Sequence, residues 1–242
     1  MNDADKRTAM TRGVFITGTD TGVGKTLVTA LLALHWKGLG FDVGVMKPFA
    51  TGCHQIGGEL VCDDATWLRE TVGVDDDLKL INPARWEEPL APLLAARRAG
   101  NAHCDWIGRC REALKVLCGR HEIVLVEGVG GLLVPLQELR GGIQFPTAAD
   151  LANEIGFPIT IVARRELGTI NHTLLTACYG LQVPLTGIVF CDARPIEAHD
   201  VAAQTGPALI SEMSGLPIWT QIPFLADVSR PALQSWAGAN LR

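Results

Sequence analysis

The chain has 242 residues and a formal net charge of −5, with 48% hydrophobic and 19% charged residues, the make-up of a water-soluble globular protein with room for one α/β domain. No apolar run approaches the roughly 18 residues of a membrane-spanning helix, and arginines pair only in "AARRAG" and "VARREL", so neither membrane nor nucleic acid is an expected partner. Seven cysteines, odd in number and without a C-x-x-C pair, argue against a disulfide framework or zinc site and for reduced thiols in a cytoplasmic protein.

Residues 1–12 are polar and of mixed charge, without the apolar stretch of a secretory signal. They read as a disordered tail ahead of a single domain over 13–242. "GVFITG" (13–18) is an apolar β-run, and "TLVTALLALHWKGL" (26–39) follows with a helical pattern. A second β-run, "FDVGVMKPF" (41–49), leads into 50–64, the longest loop candidate. Helical "DWIGRCREALKVLCGR" (105–120) precedes "EIVLVEG" (122–128). After "PITIVAR" (158–164) come helical "INHTLLTACYGLQ" (170–182) and the β-runs "PLTGIVF" (184–190) and "PIWTQIP" (217–223). Near-continuous apolar runs belong to strands covered on both faces, so the expected fold is a mostly parallel sheet flanked by helices on both faces, with right-handed crossovers. Ligands of such sheets bind beyond the carboxyl ends of the strands.

The first strand-to-helix turn reads "GTDTGVGKT". A helix N-terminus offers free N–H groups and partial positive charge to phosphate oxygens. Gly22, Val23, Gly24, Lys25, Thr26 and Leu27 are therefore candidate nucleotide-binding residues of a P-loop NTPase-like fold. Lys25 reaches for the β- and γ-phosphates, and the Thr26 hydroxyl is a candidate Mg²⁺ ligand. Five residues separate Gly18 from Gly24, one more than the usual pattern. An ordinary glycine turn followed by a chance Lys-Thr is the bland alternative, and the strand and helix on either side argue against it.

Together with "VMKPFATG", "CDDATWL", "VEGVGG" and "LGTINH", this loop resembles the dethiobiotin synthetase family over about residues 13–227, in family order. The extra loop residue is a family trait. The resemblance implies ATP-dependent closure of a cyclic urea from 7,8-diaminononanoate and CO₂ (or bicarbonate), a ligase reaction of biotin biosynthesis that releases ADP and phosphate. It implies catalytic roles for Lys47 and Lys25, and substrate contact by Thr51. Thr26, Asp64 and Glu127 become the expected Mg²⁺ ligands, with Asp64 preferred over Asp63, and helix N-capping is the bland role for either aspartate. Gly128, Val129 and Gly130 are expected along the phosphates. Gly168, Thr169, Ile170 and Asn171 are expected to hold the substrate carboxylate across a homodimer interface. His172 reads as a packing or capping residue.

Departures from the family pattern bear on affinity. Cys191, followed by Asp192, stands where members carry an adenine-reading Asn, which weakens the expected preference for adenine and makes other nucleoside triphosphates expected substrates. Pro223, Phe224 and Leu225 are expected beside the base, with Asp227 replacing a ribose-binding Glu. Ala91 and Leu93 occupy positions where members often have Ser and His. Arg164 and Arg165 replace small residues and are expected in solvent, with contact to the substrate carboxylate as the alternative. A partition-ATPase switch is disfavoured because Asp20 stands where its loop carries Lys, and a related synthetase with another substrate remains the other alternative.

Overall fold

The computed structural model describes residues 12–139, 144–179, 181–197 and 199–241. Of the expected tail, residues 1–11 lie outside this range, as do Gly180 of the third helical run and Arg242 at the end of the expected domain. The chain runs β1 (Arg12–Gly18), α1 (Lys25–Gly38), β2 (Val43–Met46), β3 (Phe49–Ala50), β4 (His54–Ile56), β5 (Glu59–Val61) and α2 (Asp63–Val72). It continues through α3 (Leu78–Ile81), β6 (Ala84–Arg85), α4 (Pro92–Arg98), α5 (Trp106–Cys118), β7 (Ile123–Glu127) and α6 (Ala148–Ile155). The last third holds β8 (Ile159–Ala163), α7 (Thr169–Cys178), β9 (Leu185–Cys191), α8 (Val201–Ser214), β10 (Ile218–Ile222) and α9 (Arg230–Asn240). No helix among the described residues is long and apolar enough to cross a membrane.

Each of the six apolar runs supplies one strand of a six-stranded sheet in the order β10-β9-β8-β1-β7-β2, and every neighbouring pair is parallel. The runs are continuously apolar because each face is covered. Val14, Ile16, Val43, Val45, Ile123 and Leu125 pack with α1, α2 and α9 on one side. Phe15, Met46, Val124 and Val126 pack with α4, α5 and α6 on the other. Strand side chains alternate, so Lys47 and Glu127, next in the odd-numbered series, emerge on the α1 and α2 side at the carboxyl ends of β2 and β7. Val45 pairs with Leu125 and Met46 with Val126. One further step sets Lys47 beside Glu127.

Residues 50–64 are more ordered in path than a loop. β4 and β5 form an antiparallel hairpin, His54 opposite Val61, turned by Gly57 (φ 60°) and Gly58 (φ 85°). A two-residue hairpin turn with positive φ at both positions matches the twist of its strands, and glycine supplies it without strain. The "GG" in "QIGGEL" is the signal for this hairpin.

Candidate active site

β1 ends at Gly18 and α1 opens after Gly24, whose φ of 93° places it in the left-handed region without a side-chain cap. The first N–H groups of α1 therefore remain free to meet an anion. A side chain on Gly24 would also strike Cys191 Sγ, 2.5 Å from the Cβ position. The loop is thereby seated on the end of β9. Lys25 Nζ donates to the Asp20 carbonyl at 2.8 Å, folding the side chain back over the loop. Burial is the main influence on that ammonium and lowers its pKa to about 8, against the opposing pull of Glu127.

The ends of β2 and β7 and the first turns of α1 and α2 meet at one ion cluster. Lys47 Nζ donates to Glu127 Oε1 and to Asp64 Oδ2, each at 2.7 Å, and Thr26 Oγ1 donates to the same Glu127 oxygen at 2.8 Å. Burial opposes the charge on Lys47, but the two carboxylates outweigh it and its pKa is raised. The three groups are not equally enclosed. The Glu127 side chain is 1% exposed, whereas that of Asp64 is 58% exposed. Glu127 Oε2 is buried without a hydrogen-bond partner. Asp64 lies in the first turn of α2, where the helix end favours a carboxylate. Asp63 turns away toward His54, with Oδ1 at 3.5 Å from Nε2.

These residues line a cavity of about 870 Å³ that also includes Gly22, Gly24, Leu27, Thr51, Gly128, Val129 and Gly130. Val23 is wholly buried and faces the core beneath the loop. The cavity wall is completed by Trp67, Pro89, Leu90 and Pro92, none of which the sequence analysis named as a site residue. Trp67 follows Asp64 at helical spacing on α2 and so shares its face. Of the two substituted positions in "EEPLAPLL", Ala91 lines the cavity and Leu93 is 4% exposed in the core. Asn82, also missed, donates from Nδ2 to the Lys47 carbonyl at 2.7 Å, and Lys47 N donates to Ile81 O. The catalytic lysine candidate is thus held at its backbone as well as its tip.

Other expected site residues lie outside this cavity. Gly168 to Asn171 form the start of α7, with Gly168 at φ 95°. Cys191 is 2% exposed and packs on the loop. Burial pushes its thiol up to about 12. Arg165 is not free in solvent as the sequence suggested: it grips buried Asp192 with Nε and Nη2 and donates to Gln221 at 2.8 Å. Arg164 likewise pairs with Glu166 at 2.9 Å and approaches Asp20 at 3.6 Å. Acidic side chains on the same sheet edge explain both, because an arginine beside unpaired carboxylates gains charge-assisted hydrogen bonds. Pro223, Phe224, Leu225 and Asp227 follow β10 and do not line the cavity.

A glycine turn capping a helix at the centre of a parallel sheet, with two lysines and two carboxylates gathered in front of it, defines an α/β protein of the P-loop nucleotide-binding class. An AAA domain family model matches residues 12–232. ATP-dependent dethiobiotin synthetase BioD of Thermodesulfovibrio yellowstonii is 38% identical over 234 residues, covering 96% of each chain. The protein of the same name from Anaeromyxobacter dehalogenans is 40% identical over 223 residues, covering 91% of this chain and 94% of that one. The signal recognition particle 54 kDa protein of Aeropyrum pernix, solved with GDP, shares the fold at a TM-score of 0.50 and 16% identity, over 96% of this chain and 46% of its own length. The chain belongs to the ATP-dependent dethiobiotin synthetase family.

Proposed function

We propose that this chain is a dethiobiotin synthase, joining 7,8-diaminononanoate and CO₂ at the expense of ATP to give dethiobiotin, ADP and phosphate. The observation that carries the reading is Lys47, buried between Asp64 and Glu127 at the mouth of a phosphate-binding loop. One amine of the substrate attacks CO₂ and loses a proton, leaving a carbamate. A carbamate oxygen then attacks the γ-phosphorus as the bond to ADP breaks. The second amine attacks the carbamate carbon and expels phosphate, closing the ring. Every step gathers negative charge, so positioned cations supply most of the catalysis.

Lys47, whose pKa is raised, stays an ammonium and meets the carbamate and the migrating phosphoryl group. Lys25 exchanges the Asp20 carbonyl for phosphate oxygens. The free N–H groups of α1 hold the β-phosphate, and Gly128 and Gly130 let the opposite wall approach. The Thr51 hydroxyl bonds the substrate amine or carbamate. Mg²⁺ fits this chain's donors: Thr26, Asp64 and Glu127 offer hard oxygen, and buried Glu127 Oε2 lacks a partner. When bound, the ion neutralises phosphate charge.

The reading extends to a cytoplasmic homodimer. Leu167 and Leu175 are 91% and 65% exposed and Met213 on α8 is 61% exposed, an apolar surface suited to a second copy. That copy would carry Gly168 to Asn171 to the substrate carboxylate. Light scattering tests this, and a monomer at assay concentration would exclude it. For the reaction itself, diaminononanoate, bicarbonate, Mg²⁺ and ATP are supplied and the cyclic urea is sought by mass spectrometry. ATP turnover without that product would reject the assignment.

A further inference from the structure

We infer that Cys53 and Cys62 form a reversible dithiol–disulfide couple that responds to hydroperoxide and lowers turnover when oxidised. The β4–β5 hairpin sets His54 opposite Val61, and one step further toward its open end sets Cys53 opposite Cys62. Facing residues of an antiparallel pair have Cα atoms about 4.5 to 5.5 Å apart, within the span a disulfide accepts. Both side chains are buried in the same core cluster, and both cysteines are reduced. No role in the synthetase reaction falls to either.

Position gives the pair its consequence. Cys53 stands two residues after Thr51, and Cys62, the N-cap of α2, stands two before Asp64. Thr51 and Asp64 line the same cavity. Access is provided by the hairpin above the thiols, whose β4 residues are all exposed and whose strands are three residues each. An isolated hairpin of that length is only marginally stable and opens locally.

The chemistry balances with hydrogen peroxide as oxidant. One thiol sulfur attacks a peroxide oxygen, the O–O bond breaks, and a sulfenic acid and one water result. The second thiol sulfur then attacks the sulfenic sulfur, the S–O bond breaks, and the departing oxygen takes the remaining thiol proton as a second water. Two electrons pass from the sulfurs to the peroxide. An S–S bond of about 2 Å ties together the two segments that carry Thr51 and Asp64, and active sites tolerate small misplacements poorly.

This inference rests on the proposed roles of Thr51 and Asp64, so its experiment has a readout independent of them. The full chain is treated with hydrogen peroxide, remaining thiols are blocked with N-ethylmaleimide, and digests are mapped without reductant. The expected result is a linked Cys53–Cys62 peptide with a tenfold or greater loss of turnover, restored by dithiothreitol. Cys53→Ser and Cys62→Ser should each keep their turnover after peroxide, and Ser suits the N-cap at Cys62. Should one variant fail to fold, the other decides. Cys53 and Cys62 both still blocked by N-ethylmaleimide while exposed Cys178 is oxidised would overturn the inference. A linked peptide with unchanged turnover, or serine variants inactivated like the parent, would do the same. A reduced enzyme that makes no cyclic urea would instead count against the functional reading, with the peptide map still deciding the disulfide.

Discussion

Replacing Lys47 by Met keeps most of its volume and removes its charge, which separates two consequences. Glu127, 1% exposed, is left as a buried carboxylate whose remaining donor among the described residues is Thr26. Breaking a buried ion pair from one side costs about 3 to 5 kcal/mol. The surviving Thr26 bond and the nearby Lys25 ammonium place Lys47→Met at the lower end, about 3 kcal/mol. Asp64, 58% exposed, regains water and adds little. For a chain of this size that loss corresponds to a fall in Tm on the order of 6 to 12 °C. Turnover should fall about 10²- to 10³-fold, the usual effect of deleting one preorganised charge-stabilising donor.

The double variant Lys47→Met with Glu127→Gln decides between causes. If the stranded carboxylate is the source of the instability, neutralising it restores stability to within about 1 kcal/mol of the parent while turnover stays low. Thermal unfolding and dethiobiotin formation are followed on the same preparations. A double variant no more stable than the single one would refute the electrostatic account, and a single variant with kcat within a factor of three of the parent would refute the catalytic one.

Asp64→Asn should change stability by no more than about 1 kcal/mol because the side chain is largely in water, yet raise the Mg²⁺ concentration for half-maximal turnover tenfold or more; an unchanged Mg²⁺ titration would remove Asp64 from the ligand set. Gly24→Ala combines positive φ with the approach to Cys191 Sγ and should cost about 2 kcal/mol or more, visible as a lower Tm that Cys191→Ala only partly restores. Buried Asp76 accepts from Arg120 and meets His121 Nε2 at 2.7 Å; burial opposes its charge, but these partners prevail and its pKa is lowered from 3.8. Stability from this group is therefore full above pH 3.8 and lost as pH falls through the lower folded-state value, so the advantage of the parent over Asp76→Asn, about 2 kcal/mol at pH 7, should shrink on acidification and would not be due to this cluster if it grew. With a thiol at position 191, kcat/KM for ATP should exceed that for CTP or GTP by no more than about tenfold, since a base-reading amide is worth about 1 to 3 kcal/mol; a hundredfold preference in steady-state assays would point to another reader.

The sheet was legible because six runs of buried residues are also six runs of sequence, and the phosphate loop because strand, glycines and helix are consecutive. Lys47 beside Glu127 also follows from pattern once the strands are paired, since both continue an alternating series. Elements with weaker patterns escaped. α8 carries Pro207 within it, and the hairpin over 54–61 has exposed strands too short to show alternation. Arg165 was misplaced for a different reason: its partners Asp192, just past β9, and Gln221, in β10, come from later in the chain. Long-range pairing of that sort depends on strand order, which local sequence does not carry.

The protein's net charge of −5 opposes a polyphosphate ligand, so attraction has to be local. Two buried ammoniums and a helix N-terminus provide it at the end of the central strand, and both ammoniums are already occupied: Lys25 by a carbonyl, Lys47 by two carboxylates. A buried cation without a partner would lose its proton or destabilise the fold, so the resting contacts preserve the charges that catalysis uses. They differ in strength. A neutral carbonyl is the weaker partner, so in the proposed function Lys25 would exchange it for phosphate, whereas Lys47, anchored by Glu127, would act from a nearly fixed position. On the proposed function, Lys25 would then serve recognition of the nucleotide, and Lys47 would define where the carbamate and the phosphoryl group meet.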